Sequence, residues 1–158
     1  MKSKLLTSYE KIQMPEALTL EHETLRAELI RWTREPGRIG KAAGRVTRLC
    51  ETHFAKEEDI LLRAFGMLHD IASDRARPDV AAVAKIVAHF GSQHDAMRGQ
   101  HQSINTAIDN LFQLGRSEQI PDVAELAAML KEHERMEDDV VYPTVLEIAR
   151  SVQAGMGI

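Results

Sequence analysis

Cysteine is nearly absent from this chain: Cys50 is the only one in 158 residues. That excludes an intramolecular disulfide framework and a cysteine-based metal cage, and it makes a reducing, cytoplasmic setting the expectation. Aromatic residues are scarce at 4%, which argues against a base-stacking platform or an aromatic ligand pocket. A strong charge of either sign is missing too. The formal net charge of -4 gives no reason to expect nucleic acid or an anionic membrane as a partner. No stretch approaches the ~20 apolar residues of a membrane span, and MKSKLLTSYEKIQMPEALT holds no apolar run of signal-peptide length. A soluble protein with no membrane partner is expected.

An apolar content of 44% with 28% charged residues fits an ordinary globular chain. At this length one domain over 1–158 is expected, burying roughly 70% of the surface its unfolded form exposes. Turn signals divide it into four segments: Pro36-Gly37 with Gly40, then Ser73 to Pro78, then Gly115 to Pro121. Pro15, Pro78 and Pro121 each suit the first turn of a helix, where a missing N–H costs nothing.

Within each segment apolar residues recur at three and four, never in sustained alternation. The first stripe is Leu18, His22, Leu25, Leu29, Trp32, and the second is Val46, Leu49, His53, Glu57, Ile60 or Leu61, Ala64, Leu68. The third runs Val80, Val83, Val87, Phe90, His94, Met97, His101, Ile104, Ile108, Leu111. The fourth runs Leu126, Leu130, His133, Glu137, Val140, Thr144, Ile148. Four amphipathic helices with short connections pack most simply as an all-α, up-down-up-down antiparallel four-helix bundle, with a core from about residue 15 to 150.

Five of the seven histidines and two glutamates sit inside these stripes. The halves also echo each other. His22 is followed roughly 30 residues later by H53-F-A-K-E57, and His101 is followed at a similar distance by H133-E-R-M-E137. Antiparallel helices place residues equidistant from a shared turn at one height. Counted from the turns, His22, His53, His101 and His133 fall within about 5 Å of a common plane, with Glu57 and Glu137 one turn further along. A lone histidine or glutamate on a stripe is ordinarily a hydrogen-bonded core or boundary residue. Six metal-competent side chains at one level must instead be paired or bind metal.

Imidazole nitrogen and carboxylate oxygen without thiolate suit iron, manganese or zinc. The donors exceed the needs of one tetrahedral zinc, whereas a pair of metals bridged by Glu57 and Glu137 and capped by histidines uses them all. The ferritin-like alternative needs Glu-x-x-His motifs, and no histidine here has a glutamate three residues before it.

The set H22, H53-F-A-K-E57-E, H101 and H133-E-R-M-E137-D, with Y142-P143 following, resembles the hemerythrin-like HHE cation-binding domain over nearly the whole chain. The resemblance implies a four-helix bundle around two non-haem, carboxylate-bridged iron ions. It makes His22, His53, His101 and His133 terminal ligands and Glu57 and Glu137 bridges, with zinc or manganese as possible substitutes. Oxygen-carrying hemerythrins differ in two respects. Their third helix carries H-x-x-x-H, while His94 and His101 stand about 10.5 Å of rise apart. Their last helix carries H-x-x-x-x-D, while this one has H-x-x-x-E, with Asp138 at the older position.

His94 is therefore open to three readings: a ligand to the second metal, a hydrogen-bond partner of a ligand, or a core residue. His69 and His89 are expected to face solvent, as are Glu58, Asp59, Asp138 and Asp139. Cys50 reads as a small core residue, and Tyr142 reads as packing near a helix boundary or as a gate or hydrogen-bond donor to the site.

The function so implied is binding of a small diatomic ligand or peroxide (oxygen, nitric oxide, peroxide) in sensing, storage, iron homeostasis or a stress response. The same centre in an enzyme would give catalase-like or oxidase-like turnover. A third reading is a metal-free helical interaction module.

Overall fold

The computed structural model describes residues 16–61, 64, 66–67, 70–71 and 79–156, and among these there are helices and no strands. α1 spans Glu16–Thr33; α2 spans Arg38–Lys56 and runs on through a π-turn, Glu57–Leu61. α3 is one long rod, Val80–Ser117. α4 spans Pro121–Met136 and continues through a second π-turn, Glu137–Val141, into α5, Tyr142–Met156. Each rod packs on its neighbour in sequence, and α1 closes the ring against α4. This is the all-α four-helix bundle that the stripes predict.

Between α1 and α2, Gly37 takes φ 82, a conformation that a side chain would strain. Pro121 occupies the first turn of α4 as expected. The last turn is shorter than the span Gly115 to Pro121, because α3 continues to Ser117. Gly115 has a packing role instead: a Cβ there would stand 2.7 Å from the backbone nitrogen of Ala124. Its absence lets α3 and α4 approach. Pro15, His69 and the break from Ser73 to Pro78 lie outside the described residues. α3 starts after Asp79, whose carboxylate accepts from the N–H groups of Ala81 and Ala82 and so caps the helix.

The apolar core is in two parts. One cluster, including Leu25, Leu29, Val46, Phe54, Ile104, Ile108 and Leu130, fills the bundle toward the α1–α2 and α3–α4 turns. The other holds Ala64, Met67, Phe90, Met97, Tyr142, Val145 and Ala149. A polar layer separates them, since along α3 His101 falls between Met97 and Ile104.

The π-turns change the phase of the stripes. Val140, expected inside, is 48% exposed, while Tyr142, Val145 and Ala149 are buried. A π-turn inserts one residue into the helical register, so the inward face passes from Glu137 to the fifth residue after it. Cys50 is buried among apolar neighbours as expected, and burial pushes its thiol far above the ordinary range.

Candidate metal centre

Both π-turns begin at a stripe glutamate, Glu57 and Glu137, and each follows a histidine one turn earlier on the same face. The bundle brings all six predicted residues together: His22, His53, Glu57, His101, His133 and Glu137 are buried at its axis. The ring centroids of His22 and His133 are 5.0 Å apart, and Nε2 of His53 lies 2.9 Å from Nε2 of His101.

The donors form two groups. His22, Glu57, His133 and Glu137 each offer an atom within 4.8 Å of the others, and so do His53, His101, Glu134 and Glu137. Glu137 belongs to both. Its Oε1 lies 2.9 Å from His133 Nε2 and 3.5 Å from His22 Nε2, while its Oε2 lies 3.4 Å from His101 and 3.5 Å from His53. Glu57 Oε2 stands between the groups, 3.4 Å from His22 and 3.3 Å from His53.

Glu134 is the residue that the stripes missed. It is 1% exposed and its carboxylate reaches within 3.1 Å of His101 Nε2. The signal was present: Val123, Ala127, Leu130, Glu134 and Glu137 fall at alternating spacings of four and three, and all five are buried. In the first half the equivalent position is Phe54, which stacks on His22 with ring centroids 4.2 Å apart. The two groups are therefore unequal, one walled by an aromatic ring and the other carrying an extra carboxylate.

The outer nitrogens of the imidazoles also have partners. His22 Nδ1 faces Glu58 Oε1 at 3.2 Å, with Arg26 2.6 Å from the same oxygen. His101 Nδ1 faces Asp138 Oδ1 at 3.2 Å, with Arg98 3.4 Å from it. His53 Nδ1 donates to Gln100 Oε1 at 3.3 Å, and His133 Nδ1 faces Glu21 Oε1 at 3.4 Å. The sequence echo holds here: the residue after each stripe glutamate supports one histidine, and the residue before His22 or His101 supports another. Glu58 and Asp138 are thus half-buried supports rather than the solvated charges expected, because the π-turn keeps them beside a neighbouring rod. The hydrogen bonds at His22 and His53 fix the tautomer that leaves Nε2 free for metal. Asp59, Asp139 and His89 are exposed as expected.

His94 is half-buried beside Phe90 and Tyr142 and belongs to neither group. Tyr142 is fully buried, and its hydroxyl donates to Glu57 Oε1 at 2.6 Å.

Burial and the neighbouring Glu137 carboxylate hold the Glu57 carboxyl well above the ordinary range. Burial raises Glu137 as well, but the imidazoles of His101, His133, His22 and His53 outweigh it and hold that carboxyl well below. Burial pushes Glu134 up to about 7 despite His101. Three carboxylates and four imidazoles in one dry layer need a compensating charge. His22 Nε2, Glu57 Oε2, His133 Nε2, Glu137 Oε2 and both Glu134 oxygens are buried without a hydrogen-bond partner. These are the atoms that face the two foci, so the donor set fits cations.

Fold and site together define a class: a helical bundle with a histidine and carboxylate cage for cations at its axis. A family model described as the hemerythrin HHE cation-binding domain matches residues 13–145. The chain belongs to that family. No curated protein and no solved structure matches it.

Proposed function

We propose that this is a non-haem di-iron protein that binds oxygen, nitric oxide or peroxide. One ion would be held by His22, His133, Glu57 and Glu137, and the other by His53, His101, Glu134 and Glu137. The observation that carries the reading is Glu137, which turns one oxygen to each histidine pair. Nitrogen and oxygen donors without thiolate favour iron over softer metals, with manganese and zinc able to use the same cage.

Ferrous ions bound there would supply electrons to a small ligand. The protein's part is to hold the donors apart, orient each imidazole from behind and keep bulk water out of the layer with Phe54 and Tyr142. A cleft of about 470 Å³, lined by Arg98, Gln102, Asn105 and Asp138 among others, reaches the outer edge of His101. A metal-free interaction module is disfavoured, since it would leave buried imidazole nitrogens and carboxylate oxygens without hydrogen-bond partners.

Separate anaerobic titrations of the ferrous protein with oxygen, nitric oxide and hydrogen peroxide test the reading. Saturable spectral change at a fixed ratio of ligand to chain is expected. Continuous loss of peroxide would make the centre a catalase-like enzyme, and silence toward all three would count against it.

A further inference from the structure

The two shared carboxylates are not used alike. Glu137 directs both oxygens inward, one to His22 and His133 and the other to His53 and His101. Glu57 directs only Oε2 inward, because Oε1 accepts the Tyr142 hydroxyl at 2.6 Å. The phenol has no freedom to leave. Tyr142 is fully buried, stacked on His101 with ring centroids 5.6 Å apart and crossed by the rings of Phe90 and His94.

On the di-iron reading above, we infer that Tyr142 is a positioning residue: it holds Glu57 Oε1 off the metals and so keeps one coordination position open to a small ligand. A carboxylate accepts and does not donate, so the hydroxyl proton defines the direction of this bond. The device follows from the backbone. The π-turn sets Tyr142, the fifth residue after Glu137, on the inward face. The fifth residue after Glu57 is Leu62, which has no hydroxyl to offer.

Without the hydroxyl, Glu57 is free to turn and offer both oxygens, filling the position that a small anion would take. The test uses the full chain and Tyr142→Phe, which preserves the ring. After metal counting, crystal structures of both manganese-loaded proteins are compared, and azide is titrated into both air-oxidised iron forms. Glu57 Oε1 is expected on Tyr142 in the wild type and on metal in the variant. Azide affinity is expected to fall about tenfold in the variant, the scale of one charge-assisted hydrogen bond.

Both Glu57 oxygens on metal in the wild type would overturn the inference, as would equal azide affinity in the two proteins. So would a tyrosinate-to-iron charge-transfer band in the wild type, which would make Tyr142 a ligand; this readout and the wild-type crystal structure decide the matter even if the variant does not fold. Fewer than one metal per wild-type chain at the counting step would instead remove the di-iron reading, and this inference with it.

Discussion

Each inward imidazole depends on a group behind it. Asp138 faces His101 Nδ1 while Asp139, its neighbour, is exposed, so the pair offers an internal control. Asp138→Asn should weaken metal binding by about 10- to 100-fold, and Asp139→Asn should leave it unchanged, as competition with a chelator of known affinity would show. Equal behaviour of the two variants would remove the supporting role given to Asp138. The six stripe residues of the cage were legible in the sequence because a histidine at a core position violates the apolar pattern. Glu134 has stripe spacing but, like Asp138, adjoins a stripe residue, and a charged side chain there ordinarily faces water. What places them inside is the arrival of a second rod, with His101 3.1 Å from Glu134. No local pattern contains that contact.

The helices were legible for the reason helices usually are: spacings of three and four persist over several turns in each segment. The π-turns were not, since one inserted residue has no compositional mark. They displace the later stripe from Val140 to Tyr142 and aim Glu57 and Glu137 at the axis. Gly115 likewise read as turn punctuation, whereas its function is close packing inside α3. Gly115→Ala would force a Cβ to within 2.7 Å of the Ala124 nitrogen. A loss of about 1–3 kcal/mol is expected in denaturant unfolding, with metal stoichiometry unchanged because the contact is remote from the cage. A neutral substitution would mean that α3 and α4 can separate there freely.

In the whole bundle, the polar layer is a liability until it is compensated, and protons and metal compete to do so. Burial pulls His101 down, but Glu137, Glu134 and Asp138 outweigh it and push it up to about 9 from 6.5. The folded chain then holds a proton that the unfolded chain releases near 6.5. Its contribution to stability is complete below that pH and is lost as pH rises toward 9. His133 is shifted in the same direction. The metal-free protein should therefore lose thermal stability between about pH 6.5 and 9, while the metal-loaded protein holds its Tm because the ion replaces the proton. Calorimetry of both forms across that window checks this, and a metal-free Tm that rises with pH would contradict it.

The central claim is that two ions share Glu137 at the meeting point of four histidines. Iron counted per chain after anaerobic ferrous loading and desalting tests it most directly, with Glu137→Gln and the double variant His53→Ala, Glu57→Gln measured alongside the wild type. Two tightly held irons are expected in the wild type and fewer than one in either variant. Fewer than one in the wild type, or a count that the substitutions leave unchanged, would contradict it.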